Sequence, residues 1–295
     1  MSAFQGIWVP VVTPFNDGAI DFIGLHRLVS HLLEKHVAGI MVCTTTGEAA
    51  SLSRQEQLAV LDAVLQLVPA HRVVMGLAGY NQIELLHFQR EILQRPVAGL
   101  LVPAPSYIRP SQAGLEVFFR TVADASSVPI ILYDIPYRTG STFEQATLLN
   151  IVAHERIVAI KDSSGDISHM MRMIAAVRPK RPDFAFLTGW DPALLPMLMV
   201  GCDGATLASS GVVPEIASAI FRLAQERKIE AATEEQCRLT MIFDQMMNAA
   251  DFPEGFRRAM RMRGFETGEG RQPVGPDQQA RLKLLETALA TLLPK

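Results

Sequence analysis

Cysteine is scarce in this sequence. The 295 residues include three cysteines, Cys43, Cys202 and Cys237, and no two of them stand in a CxxC spacing. An odd number of widely separated cysteines predicts neither a disulfide framework nor a structural zinc site. We therefore expect a reducing environment, with the cytoplasm as the location of the protein.

Charge and long apolar runs are also in short supply. Charged residues make up 19% of the chain and the formal net charge is −3, so neither nucleic acid nor an anionic membrane is expected as a partner. The first apolar stretch follows no basic residues and is interrupted by Gly6, Pro10 and Pro14, which argues against a signal peptide. No apolar run approaches the ~18 residues that span a bilayer.

Several motifs of nucleotide, hydrolase and metal chemistry are missing as well. The sequence contains no GxGxxG, no P-loop and no GxSxG segment. No histidine stands at the end of a predicted strand, which disfavours a metal-dependent hydrolase with histidine ligands. We therefore expect no metal site.

A regular alternation of apolar and helical segments is present. Continuously apolar runs rich in β-branched residues alternate with longer amphipathic stretches, as is typical of parallel strands covered on both faces. Eight such runs start 20–33 residues apart, at Gly6, Gly39, Arg72, Gly99, Pro129, Ile157, Phe184 and Gly204. Because this spacing is one βα unit, we predict an α/β protein with a (β/α)8 TIM barrel. An open doubly wound sheet is the alternative.

Beyond the barrel the pattern is helical only. Amphipathic stretches cover 215–227, 230–248, 254–263 and 276–293. We therefore divide the chain into the barrel, residues 1–212, and the last barrel helix with a C-terminal helical extension, residues 213–295. One group of arginines could bind an anion, but a solvated or interface helix face is favoured: Arg257, Arg258, Arg261 and Arg263.

Reactive groups of such a barrel lie at the carboxyl ends of its strands, and Lys161 ends the sixth predicted strand. If its side chain faces the barrel axis, apolar walls favour the neutral amine that a Schiff-base nucleophile needs. The alternative is a lysine paired with a carboxylate such as Asp162. Tyr133 ends the fifth strand, where its phenol either relays protons or is a buried, hydrogen-bonded tyrosine.

The segment TTTGE, residues 44–48, follows the second predicted strand. Its backbone N–H groups and hydroxyls can bind a small carboxylate. The alternative is an ordinary turn in which Glu48 caps the next helix. Ser53, with Glu56 three residues later, forms a capping-box pattern at the start of that helix.

Five segments resemble one protein family and occur in its order. They are TTTGE (44–48), YIRPSQ (107–112), YDIPYRTG (133–140), IKDSSG (160–165) and TGWD (188–191). The chain thus resembles the dihydrodipicolinate synthase / N-acetylneuraminate lyase family over most of its length. The resemblance implies a homotetrameric barrel, a dimer of dimers, whose lysine forms an imine with pyruvate. The derived enamine would attack a small aldehyde, without a metal or organic cofactor.

By motif match, the resemblance also implies roles for individual residues. Lys161 would form the imine, Tyr133 would relay protons, and Thr45 would hydrogen-bond into that relay. Tyr107 would reach the relay of a neighbouring subunit. The implied substrate-binding residues are Thr46 in the pyruvate-carboxylate cradle, Gly189, Thr206, and Arg138 for the carboxylate of aspartate semialdehyde.

Arg138 favours the synthase branch of the family, so 4-hydroxy-tetrahydrodipicolinate synthase activity, leading toward lysine and diaminopimelate, is the first hypothesis. Other positions depart from the family pattern: Ser106, Ile108, Asp134, Tyr137, Thr206 and Phe252. They favour a second hypothesis, a class I aldolase or lyase acting on a keto-sugar acid or another 2-keto acid. A non-catalytic ligand-binding barrel is the third, and the joint presence of Lys161, Tyr133, Thr45 and Tyr107 disfavours it.

Feedback inhibition by lysine is predicted to be weak or absent. Positions around Arg54, Gln57 and Leu85 do not reproduce the histidine and glutamate residues that bind feedback lysine in bacterial members of the family. An activity assay with and without lysine checks this prediction. Inhibition by low-millimolar lysine would contradict it.

Overall fold

Eight parallel strands close into a barrel in the computed structural model, which describes residues 4–294. In chain order, the strands of the barrel and of a separate two-stranded hairpin are β1 (Gly6–Pro10), β2 (Phe15–Asn16), β3 (Ala19–Ile20), β4 (Gly39–Val42), β5 (Val73–Gly76), β6 (Gly99–Pro103), β7 (Ile130–Asp134), β8 (Ile157–Asp162), β9 (Ala185–Thr188) and β10 (Gly204–Ala205). The barrel order is β1-β10-β9-β8-β7-β6-β5-β4, and pairing of β4 with β1 closes it, while β2 and β3 form a separate hairpin. The predicted strands are confirmed, and closure excludes an open doubly wound sheet.

Helices connect the strands and cover the barrel. They are α1 (Phe22–Glu34), α2 (Arg54–Leu65), α3 (Gln82–Ile92), α4 (Gln112–Asp124), α5 (Pro136–Thr139), α6 (Gln145–Ile151), α7 (Ile167–Val177), α8 (Leu194–Met199) and α9 (Pro214–Gln225). The C-terminal helices are α10 (Ile229–Ala249), α11 (Glu254–Met262) and α12 (Pro276–Leu289). The predicted capping box of α2 is confirmed, because the Ser53 hydroxyl accepts the Glu56 N–H at 3.2 Å and the Glu56 carboxylate accepts the Ser53 N–H at 2.8 Å.

Apolar side chains fill both sides of the barrel wall. Trp8, Met41 and Leu101 belong to the cluster inside the barrel. Ile40 and Leu100, their neighbours in sequence, belong to the larger cluster between the strands and the helices. Because both faces of each strand are buried, the strands are continuously apolar in sequence rather than alternating.

Strand register brings three residues together at the carboxyl end of the barrel. Tyr133 on β7 pairs with Lys161 on β8, and Lys161 pairs with Leu187 on β9. Tyr133 and Leu187 belong to the interior cluster. Since side chains alternate along a strand, Asp134 and Asp162 face outward, toward the surrounding helices.

The packing of the C-terminal helices contradicts the prediction that Arg257 lies on a solvated or interface face. α10 packs against α9, α11 and α12. Arg257 on α11 is 0% exposed and is therefore not part of a solvated or interface face. Its guanidinium instead bonds with the Glu48 carboxylate and donates to the backbone carbonyls of Thr13 and Thr267.

The structure also bears on the predicted domain boundary, on membrane-spanning helices and on the three cysteines. The predicted division between residues 212 and 213 falls just before α9, which begins at Pro214. Within residues 4–294, no helix has the length and apolar character needed to cross a membrane. Cys43 and Cys202 are buried, Cys237 is exposed, and all three are free thiols.

Candidate active site

Lys161 and Tyr133 lie side by side inside the barrel, at its carboxyl end. They are 4% and 5% exposed, and Lys161 Nζ lies 4.2 Å from the centroid of the Tyr133 ring. Asp162 faces the opposite side of β8 and accepts the Ser164 N–H at 2.6 Å. The alternative in which Lys161 pairs with Asp162 is therefore wrong.

The phenol of Tyr133 is surrounded by hydrogen-bonding groups. Burial by itself raises the pKa of Tyr133, but the positive charge of Lys161 and hydrogen bonds with Thr45, Ser163 and Lys161 outweigh burial and lower the pKa below its usual value. A phenol with a lowered pKa releases its proton more readily, which suits a proton relay. Thr45 and Tyr133 line the same cavity, and the part of Thr45 in a proton relay stays a prediction.

The TTTGE turn has an unusual backbone that its neighbours hold in place. Cys43 precedes it with φ 52° and Glu48 ends it with φ 53°, values in the left-handed region that L residues seldom adopt. The end of β5 presses against the turn, since a Cβ on Gly76 would lie 2.1 Å from the Cys43 carbonyl oxygen. The Thr13 hydroxyl donates to the Gly47 carbonyl at 2.8 Å.

Glu48 does not cap the helix that follows the turn. Ser53 caps that helix, whereas the Glu48 carboxylate accepts Nε–H of Arg257 at 2.8 Å and the backbone N–H of Arg271 at 3.2 Å. The Glu48 side chain is 3% exposed. The alternative of an ordinary turn with Glu48 as a helix cap is therefore wrong.

A cavity of about 50 Å³ lies around Lys161. Gly189 leaves room beside the lysine, because a Cβ at that position would lie 2.7 Å from Lys161 Cε. Asp191 is a buried acid of this cavity: burial raises its pKa, although hydrogen bonds from Ser209 and the positive charge of Lys161 act in the opposite direction. The predicted site residues that line the cavity are Thr45, Thr46, Tyr133, Arg138, Lys161, Gly189 and Thr206.

Arg138 lies at the entrance of this cavity, on the single turn of α5. Pro136 starts α5 and Gly140, with φ 70°, ends it, the arrangement that the two residue types favour. The Arg138 guanidinium carbon lies 5.7 Å from the ring centroid of Tyr137 and 5.6 Å from that of Phe252. Arg138 and Phe252 also line an outer cavity of about 580 Å³.

Tyr107 is not brought to the other predicted catalytic residues within one chain. It is 94% exposed and has φ 69°, on the loop between β6 and α4. Ile108 beside it is 59% exposed. The role of Tyr107 in a neighbouring subunit stays a prediction.

A second polar cluster lies on the outer face of β7 and β8. Ligand atoms of Asp134, Asp162 and His169 lie within 4.8 Å of one another, a spacing that could hold a cation. The Asp134 carboxylate, 3.6 Å from His169 Nε2, is the main cause of the raised pKa of His169, and burial is the main cause of the raised pKa of Asp162. The cluster faces away from the barrel axis, so it is separate from the cavity around Lys161.

Sequence reasoning assigned no role to Ser163, Asp191 or Arg257. Ser163 and Asp191 belong to the quoted segments IKDSSG and TGWD at strand ends, so their position was a signal that could have identified them. Arg257 gave no such signal, because a single arginine on an amphipathic stretch does not show which residues the tertiary fold places around it.

Comparison with known proteins points to one protein family. The model of the dihydrodipicolinate synthetase family matches residues 3–292. A 4-hydroxy-tetrahydrodipicolinate synthase of Haloarcula marismortui is 33% identical over 290 residues, which cover 98% of this chain and 94% of the relative. The synthase of Methanothrix thermoacetophila is 32% identical and covers 98% of each chain.

Solved structures agree with the sequence relatives. A dihydrodipicolinate synthase of Bacillus anthracis superposes with a TM-score of 0.91 at 27% identity and covers 100% of both chains. YagE, a prophage protein of Escherichia coli that belongs to the dihydrodipicolinic acid synthase family and was solved with pyruvate, gives a TM-score of 0.89 at 28% identity over 98% of each chain. These matches confirm the family that the motifs predicted.

We predict that Thr45→Val raises the pKa of Tyr133, because it removes an interaction that favours the phenolate. Ultraviolet titration of tyrosinate, with Tyr133→Phe to assign the signal, measures the change. Thr44→Val is the matched control, since the buried Thr44 hydroxyl has no hydrogen-bond partner among residues 4–294. Equal titration of Tyr133 in the Thr45 variant and the unmodified protein would contradict the prediction.

Proposed function

The chain belongs to the dihydrodipicolinate synthetase family, and on this premise we propose that it is a Schiff-base enzyme that condenses pyruvate with a small aldehyde. The best-supported reaction is that of a 4-hydroxy-tetrahydrodipicolinate synthase, with aspartate semialdehyde as the acceptor, leading toward lysine and diaminopimelate. Curated relatives with this name support it. The observation that carries the proposal is the buried amine of Lys161 beside the Tyr133 phenol.

Imine formation is the first step. The neutral amine of Lys161 attacks the keto carbon of pyruvate, and the resulting carbinolamine loses water to give a protonated imine. The Tyr133 phenol donates the proton that the leaving hydroxyl needs and recovers one afterwards. Because the electron-withdrawing group is the imine itself, the reaction requires no metal or organic cofactor.

The pyruvate carboxylate binds at the TTTGE turn in this proposal. Thr46 is 3% exposed and lines the cavity together with Thr45, so hydroxyl and backbone N–H groups are available for an anion. With the carboxylate held there, the methyl group loses a proton to give the enamine. The protonated imine stabilises this step because it accepts the electron pair.

The acceptor enters from the outer cavity. Arg138 lines both cavities, and a guanidinium suits bidentate binding of a carboxylate. An aldehyde whose carboxylate binds Arg138 can present its carbonyl to the enamine, which forms the new carbon–carbon bond.

Quaternary structure and location complete the proposal. A homotetramer, a dimer of dimers, would allow the exposed Tyr107 of one subunit to reach the proton relay of its neighbour. The exposure and left-handed backbone of Tyr107 support a contact outside its own chain. A cytoplasmic location stays a prediction, supported by the free thiols.

One observation favours the second hypothesis, an aldolase or lyase for a keto-sugar acid or another 2-keto acid. The ring centroids of Tyr137 and Phe252 lie 5.7 and 5.6 Å from the Arg138 guanidinium carbon, and both residues are departures from the synthase pattern. These rings narrow the acceptor side of the site and change the shape of the aldehyde that fits. The imine chemistry at Lys161 is the same in both hypotheses.

Covalent trapping tests the imine. We predict that incubation with pyruvate, followed by borohydride reduction, adds one pyruvate-sized mass to the protein, and that Lys161→Ala abolishes the adduct. Tyr133→Phe should fold and lose most turnover, because the proton donor is missing. Intact-protein mass spectrometry measures the adduct. Its absence at every pH near neutrality would remove both catalytic hypotheses.

The identity of the acceptor is tested through Arg138. We predict that Arg138→Lys raises the KM for aspartate semialdehyde by roughly tenfold to a hundredfold, since the bidentate contact is lost, and leaves pyruvate trapping unchanged. Arg120→Lys is the control, because Arg120 is exposed and donates to the Asn150 carbonyl, on the helices outside the barrel. Faster turnover of a keto-sugar acid than of aspartate semialdehyde would favour the second hypothesis instead.

A further inference from the structure

Arg257 joins three distant segments at the back of the TTTGE turn. Its Nε–H donates to the Glu48 carboxylate at 2.8 Å. The two terminal nitrogens donate to the Thr267 and Thr13 carbonyls, each at 2.8 Å. The loop after β1, the turn after β4 and the C-terminal extension are thereby fixed to one fully buried guanidinium.

The surroundings of this guanidinium are closed to solvent and include two carboxyl groups. Arg257 is 0% exposed, and Glu254 lies 3.5 Å from its Nε. Burial raises the pKa of Glu254, while the positive charge of Arg257 acts in the opposite direction. The Phe15 ring lies 5.0 Å from the guanidinium carbon. The planar guanidinium of an arginine has several N–H donors and suits such a site better than the compact charge of a lysine ammonium group.

The contact with Glu48 extends directly to the threonines of the turn. The Glu48 N–H donates to the Thr45 carbonyl at 3.2 Å, and the Ala49 N–H donates to the Thr44 carbonyl at 3.3 Å. Glu48 has a left-handed backbone, with φ 53°, which is unfavourable unless its surroundings fix it. The Glu48 side chain holds that residue, and Thr45 in turn lines the cavity around Lys161 together with Tyr133.

We propose that Arg257 is a positioning residue for the reaction: through its ion pair with Glu48, the C-terminal extension sets the place of Thr45 and Thr46 relative to Tyr133 and Lys161. Arg257 touches no reacting atom and acts through the turn. The proposal rests on the roles that the proposed function gives to these threonines. It assigns α11 a part in assembling the active site, beyond covering the barrel.

The test compares Arg257→Lys and Glu48→Gln with a matched control on the same helix. Arg258→Lys is the control, because Arg258 pairs with Glu286 at 2.7 Å and has no bond to the turn. Thermal unfolding, kcat, the KM for pyruvate and the tyrosinate titration of Tyr133 are measured for each. The tyrosinate titration needs no substrate, so it tests the inference even if pyruvate trapping of the unmodified protein fails and the proposed function falls.

We expect Arg257→Lys to lower kcat by about tenfold to a hundredfold, as a displaced catalytic group does, and to raise the pKa of Tyr133 toward its ordinary value because Thr45 moves away. Glu48→Gln should do the same, and the double variant should add little to either single change, since the two side chains act as one unit. Arg258→Lys should match the unmodified protein in kcat and titration. If Arg257→Lys does not fold, Glu48→Gln carries the comparison.

The alternative is that Arg257 has only a structural role. In that case Arg257→Lys and Glu48→Gln lower the unfolding temperature, while kcat, the KM for pyruvate and the titration of Tyr133 stay at the values of the unmodified protein. That result would overturn the proposal.

Discussion

The placement of Lys161 beside Tyr133 depends on the pairing of β7 with β8. The register sets Tyr133 opposite Lys161 and Asp134 opposite Asp162, and a slip of one residue would exchange inward and outward faces. In the observed register, an amine and a phenol meet inside a closed apolar barrel, while the carboxylates lie outside it. The chemistry proposed for this chain therefore follows from the same backbone hydrogen bonds that close the barrel.

Burial affects the two sides of β7 and β8 differently. On the inside, the charge of Lys161 and the hydrogen bonds of Thr45 and Ser163 outweigh burial and lower the pKa of Tyr133. On the outside, burial raises the pKa of Asp162, while hydrogen bonds from Ser164 and the nearby His169 act in the opposite direction. Asp134 and Asp162 lie on the outer face, whereas Asp191 is the buried acid in the cavity around Lys161.

The acceptor side of the site is built differently from the pyruvate side. Thr46, Gly189 and Thr206 surround the lysine with small or hydroxyl-bearing side chains, which suits a compact oxoacid. Arg138 instead lies close to two aromatic rings. Tyr137 and Phe252, two departures from the family pattern, line the cavity around Lys161 beside Arg138, the residue to which the proposal assigns the acceptor.

The amino-acid sequence by itself determined the eight strands, the capping box at Ser53 and the position of Lys161 at a strand end, because these follow from local periodicity and short motifs. Only the tertiary structure decided the partners of buried charges. The local sequence predicts a helix cap at Glu48 and an exposed side chain at Arg257. The two residues instead form an ion pair across more than two hundred residues of sequence. Long-range contacts of this kind arise when the barrel closes and the C-terminal helices pack on it, and no local pattern encodes them.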